Sequence, residues 1–169
     1  MFLLLDCRKE FNSMGWQWLE RCLRAAKTPE PLIRLVKVLL RNEPILCMNG
    51  ESDWREFDPI QMMAGLTQGG PASTILYVIG VDPFLDEMQR IADGVVSGFA
   101  DDWAIEVCRV AQLQTVIRAA IQFEGASGQE VHVDKTVVVP DRELTQCRAV
   151  WPNLPISYRE RVLGIYILV

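Results

Sequence analysis

Val95-Val96-Ser97-Gly98-Phe99-Ala100-Asp101-Asp102-Trp103-Ala104-Ile105-Glu106-Val107 sets two carboxylates between two apolar runs. β-Branched and aromatic residues on both sides predict strands over 95–100 and 103–107, joined as a hairpin with an acidic tip. Two adjacent aspartates repel each other unless a cation offsets them, which makes the tip a candidate metal site. An ordinary solvated Asp-Asp turn is the other reading.

Upstream, residues 2–7 read as a buried strand that ends on Asp6. Ser13 is placed to cap a helix over 16–27, with Leu19, Cys22, Leu23 and Ala26 at helical spacing. Thr28-Pro29-Glu30-Pro31 breaks the chain before a second helix over 32–41. Residues 45–48 and 53–57 predict a hairpin turning at Asn49-Gly50. The loop Gly65-Leu66-Thr67-Gln68-Gly69-Gly70-Pro71-Ala72-Ser73 opens a long helix to about residue 91, with Pro71 suited to its first turn.

Downstream of the acidic hairpin, a helix is expected over 110–123, ended by Gly125-Ala126-Ser127-Gly128. A strand over 131–139 follows, with Asp134-Lys135 inside it, and then a final apolar segment over 162–169. The order is β, α, α, β-hairpin, α, β-hairpin, α, β, β. It predicts one α+β domain, an antiparallel sheet covered by helices on one face.

The bulk numbers agree with a globular domain. The chain has 169 residues, half of them apolar and under a quarter charged, with a net charge of −5. That balance excludes a broad electrostatic grip on nucleic acid, which needs clustered Lys and Arg. It leaves room for a site where metal ions supply the positive charge. Five scattered cysteines form no C-x-x-C pair and read as free thiols. His132 is the only histidine, which excludes a multi-histidine mechanism. No signal sequence or membrane span is expected, and the protein reads as soluble and intracellular. A buried strand at residue 2 suggests a fragment of a longer chain.

Asp6, Asp101 and Asp102 all fall at strand ends or turns. A sheet that sets 3–5 beside the acidic hairpin brings the three together. Two divalent ions on two or three carboxylates are the apparatus of in-line nucleotidyl transfer. Mg²⁺ suits such a site because it leaves coordination positions for phosphates and water.

Taken in order, these residues resemble the palm of a reverse transcriptase, most similar to that of non-LTR retrotransposons. Leu4-Leu5-Asp6-Cys7-Arg8-Lys9-Glu10-Phe11-Asn12-Ser13 resembles the first palm motif, L-D-x-x-K-A-F-D-S. Gly65-x-x-Gln68-Gly69-x-Pro71-x-Ser73 matches the second, and Phe99-Ala100-Asp101-Asp102 the third. Ser127-Gly128 with Lys135-Thr136 resembles the fourth, and Leu163-Gly164-Ile165 the fifth. Five motifs in order are far more specific than any one alone. Asn12 stands where the family usually has Asp, Glu10 where it has Ala, and Thr67 where Arg is frequent.

The resemblance implies an RNA-directed DNA polymerase that adds dNTPs to a primer 3′-end on an RNA template. It implies two Mg²⁺ ions, or Mn²⁺ in their place, on Asp6 and Asp101 with Asp102 assisting. Lys135 becomes a cation and general acid at the pyrophosphate. The backbone at Arg8, Lys9 and Phe11 meets the triphosphate, and the Phe11 ring screens the ribose 2′-hydroxyl. Gln68, Gly69 and Pro71 form the floor under the incoming nucleotide. Residues 1–169 are then a partial palm whose fingers and thumb are missing. A group II intron-type enzyme is the neighbouring subclass. An inactive retroelement remnant and a structural or interaction domain are the other readings.

Overall fold

The computed structural model describes residues 1–8, 10–41, 46–49, 53–56, 64–99, 102–132, 135–140, 155–157, 159–162 and 165–168. Its centre is a four-stranded antiparallel sheet in the order β5-β6-β1-β8, made of Val96–Phe99, Asp102–Glu106, Phe2–Leu5 and Val137–Val139. The acidic hairpin is therefore present, with Phe99 opposite Asp102. Strand β1 lies in the middle, pairing Leu5 with Trp103 on one side and Leu4 with Val137 on the other.

Alternation decides which face is covered. Leu3, Leu5, Trp103, Ile105 and Val138 are buried on one face. Two helices, α4 (Ser73–Ile91) and α5 (Val110–Ser127), pack there. Phe84 of α4 and Phe123 of α5 meet the Trp103 ring at centroid distances of 4.8 and 6.0 Å. The expected α+β sandwich with helices on one face is what the chain forms. Gly98 is required by this packing: a Cβ there would stand 2.8 Å from the Leu85 side chain.

The helical half is built from three further elements, α1 (Glu10–Ser13), α2 (Trp16–Ala25) and α3 (Glu30–Arg41). The Trp18 indole of α2 donates to the Gly80 carbonyl at 2.7 Å, tying α2 to α4. A hairpin, β3 (Leu46–Asn49) with β4 (Asp53–Glu56), pairs Asn49 with Asp53; Gly50 of the expected turn lies outside the described residues. At the far end, β9 (Arg159–Val162) pairs with β10 (Ile165–Leu168). Leu163 and Gly164 lie outside the described residues.

Four local expectations are corrected. The first long helix is capped at Gly15, not Ser13, because Ser13 already closes α1. The second begins at Glu30, two residues early. Helix α4 begins at Ser73, so Pro71 sits in the preceding turn. Helix α5 runs through Gly125 to Ser127, and its left-handed cap is Gly128 at φ 77°.

The strand over 131–139 is two strands, β7 (Glu130–Val131) and β8, separated by a turn at His132–Thr136. Among the described residues, no helix is long and apolar enough to cross a membrane. Cys7, Cys22 and Cys108 are free thiols, as expected. Burial, with Asp82 adding to it, pushes the Cys22 thiol up to about 11, which removes it as a nucleophile at neutral pH.

Candidate active site

The site grows out of the break between β1 and a second short strand, β2 (Cys7–Arg8). Strand β2 leaves the main sheet and pairs with β7, Cys7 opposite Val131 and Arg8 opposite Glu130. Asp6 stands at the break. Asp6 follows Leu5, the last residue of β1 paired with β6, and Asp102 precedes its partner Trp103. Both carboxylates thus stand at the same end of the β1–β6 ladder. The Lys135 ammonium lies 3.3 Å from Asp6 Oδ2.

The turn that delivers Lys135 is tightly specified. The His132 amide donates to the Asp6 carbonyl at 2.7 Å. The His132 carbonyl accepts from the Lys135 and Thr136 amides, each at 3.0 Å, and from the Thr136 hydroxyl at 3.1 Å. Splitting the expected strand at this turn swings Lys135 onto the end of β1.

Asp6 Oδ2 is buried and accepts no hydrogen bond from the described residues. Its counter-charge, Lys135, is on a side chain that is 64% exposed. A buried carboxylate oxygen without a donor is expensive unless a cation offsets it. Asp102 is exposed on the neighbouring strand. Asp101 and Lys9 lie outside the described residues. Among the described residues, no three His, Cys, Asp or Glu side chains gather closely enough to hold a metal ion. Hard oxygen donors of this kind, Asp6 at the end of β1 and Asp102 at the start of the neighbouring strand, fit a divalent cation in their chemistry.

Arg8 is committed elsewhere: its guanidinium pairs with Glu130 at 3.1 Å across the β2–β7 ladder. Phe11 is half-buried in α1 and its ring stacks on Tyr77 of α4, centroids 4.8 Å apart and planes at 21°. The Phe11 carbonyl accepts from the Leu66 amide at 2.6 Å, so the first motif is bonded to the loop of the second. Gln68, Gly69 and Pro71 are exposed in that loop.

The two glycines of the loop differ in what surrounds them. Gly69 has φ 82° with nothing within 4 Å of a built Cβ, so it is there for its conformation. Gly70 is there for space, since a Cβ would stand 2.6 Å from the Ser73 hydroxyl.

Ser127 and Gly128, the start of the fourth motif, clamp the first. The Gly15 amide donates to the Ser127 carbonyl at 2.7 Å, and a Cβ on Gly128 would stand 2.7 Å from the Ser13 carbonyl. Gln129, fully buried, donates to the Ser13 hydroxyl at 3.1 Å. Sequence reasoning missed Gln129 and Tyr77. Tyr77 carried a signal, because it shares the buried helical stripe with Gly80, Val81 and Phe84. Gln129 carried none.

A family model for reverse transcriptase (RNA-dependent DNA polymerase) matches residues 1–158. The chain belongs to the reverse transcriptase family. No curated protein matched the sequence. Among solved structures, the chain is similar to an apo telomerase from Candida tropicalis truncated from its C-terminal domain, at 14% identity and a TM-score of 0.73. The match covers 98% of this chain and 33% of that one, so the chain spans about a third of that structure's length. The likeness shows a shared polymerase fold. Among the described residues, the first of the quoted motifs is bonded to the second through Phe11 and Leu66, and to the fourth through Gly15 and Ser127.

Proposed function

We propose that this chain is the palm of an RNA-directed DNA polymerase of the non-LTR retrotransposon type, spanning residues 1–169. It adds dNTPs to a DNA primer 3′-end on an RNA template. The observation that carries the reading is the end of β1: Asp6 Oδ2 buried, without a hydrogen bond among the described residues, beside the exposed Lys135 ammonium.

Asp6, Asp101 and Asp102 would hold the divalent ions, Mg²⁺ or Mn²⁺. When bound, these supply the positive charge that acidifies a primer 3′-hydroxyl and offsets a triphosphate. The chain's own residues do the rest. Lys135 releases Asp6 and turns its ammonium toward the departing pyrophosphate, where it donates a proton. The backbone at Arg8, Lys9 and Phe11 meets the triphosphate oxygens. The Arg8 side chain stays with Glu130 and keeps that backbone in place. Gln68, Gly69 and Pro71 lie under the incoming nucleotide, and the Phe11 ring excludes a 2′-hydroxyl.

Primer extension on an RNA template tests the reading. Asp101→Ala brings extension to background, because a principal ion ligand is gone; extension at the wild-type rate would end the assignment. An inactive remnant predicts no extension by the wild-type chain either.

A further inference from the structure

Helix α1 is a single turn held by two backbone hydrogen bonds and one between side chains. Leu66 donates to Phe11, Gly65 donates to the Met14 carbonyl at 2.8 Å, and Gln129 donates to Ser13. Those bonds fix where the Phe11 Cα sits. They leave the χ1 torsion of its half-buried side chain to be set by packing. The ring's aromatic contact is Tyr77, stacked on it at 4.8 Å. Tyr77 is 1% exposed on a 19-residue helix whose neighbours Leu76, Gly80 and Val81 are all in the core. It cannot follow the Phe11 ring if that ring turns. It presents a fixed aromatic wall from a position four residues past the last residue quoted for the second motif.

We propose that Tyr77 is the positioning residue that holds the Phe11 ring in its sugar-excluding rotamer, and so sets the preference for deoxynucleotides over ribonucleotides. The inference rests on the reading of Phe11 given above. Stacked rings hold each other in offset geometry, and an aliphatic side chain in place of Tyr77 supplies volume without that orientation. The Phe11 ring then populates other rotamers and the space beside a C2′ atom opens.

The test is single-nucleotide incorporation by the full chain with Mg²⁺, supplying dNTP or the matching rNTP. Tyr77→Leu lowers the dNTP-over-rNTP preference roughly three- to tenfold, as expected from losing one aromatic pair. The change falls on kcat/KM for the rNTP, and kcat for the dNTP stays close to wild type. Tyr77→Phe retains the wild-type preference. Phe11→Ala loses preference further, and adding Tyr77→Leu to it changes nothing more. Melting curves show which variants are folded; if Tyr77→Leu is not, Tyr77→Met, a flexible gap-filler, carries the same expectation.

A folded Tyr77→Leu or Tyr77→Met with unchanged preference, while Phe11→Ala loses it, overturns this inference alone. Unchanged preference in Phe11→Ala overturns it together with the role of Phe11. A wild-type chain that incorporates neither nucleotide overturns the proposed function, and this inference with it.

Discussion

Asp6 and Glu20 are two carboxylates that both meet cations, and they are treated in opposite ways. Glu20, on α2, accepts from Lys37 of α3 at 2.7 Å and from Arg24 at 2.9 Å. Arg24 also reaches Glu30 at 2.8 Å, so the α2–α3 seam is laced by a network. The Lys37 and Arg24 contacts hold the Glu20 carboxyl below its ordinary value, and Arg24 does the same for Glu30. Asp6 has a buried oxygen that accepts no hydrogen bond from the described residues, and an exposed lysine for its counter-charge. A group placed to stabilise a fold is given its partners. A group placed to bind something is left short of them, and the difference is visible in the hydrogen bonds.

The comparison breaks first at activity. Asp6→Asn lowers primer extension at least roughly a hundredfold, the scale for removing one electrostatic element of a catalytic site. Glu20→Gln leaves extension unchanged. Equal losses from the two would show that the contrast in their surroundings carries no functional meaning.

A smaller effect separates them by pH. Folded values that are depressed for Glu20 and Glu30 mean stability that is complete above the ordinary glutamate value and lost as pH falls through the lowered values. Glu30 is exposed and Glu20 partly so, so solvent screens the network and the effect is slight. Melting temperature against pH should therefore fall slightly less on acidification for Glu20→Gln than for the wild-type chain. An identical acid profile would show the network to be without weight.

Much of this contrast could be read in the sequence, and some could not. The β-branched runs around Asp101 and Asp102 announce the hairpin, and the Leu3–Leu5 run announces its neighbour, because period-2 burial needs no tertiary information. The fold class followed from element order alone. The break at His132 was hidden, since Val131 and Val137–Val139 look like one strand. Only the backbone bonds that the Asp6 and His132 carbonyls accept show how Lys135 is placed.

Glycine was misread for a similar reason. Gly125 looks like a helix stop, yet a Cβ there meets nothing within 4 Å and the helix passes through it. Gly128 is the required one, because its φ is positive and Ser13 crowds it from a segment more than 100 residues away. Ser13 was read as a helix cap when its hydroxyl is bound by Gln129. Contacts of that sequence separation leave no local pattern.

The central claim is that the end of β1 is a divalent cation site whose ligand-free state is tended by Lys135. Melting temperature measured with and without saturating Mn²⁺ tests it without requiring catalysis. A ligand at a hundred times its Kd stabilises the native state by about 2.7 kcal/mol. The wild-type chain and Glu20→Gln should both gain several degrees with Mn²⁺, and Asp6→Asn should gain almost none. A shift of equal size in Asp6→Asn, or no shift in the wild-type chain, would contradict the assignment of Asp6 as a metal ligand.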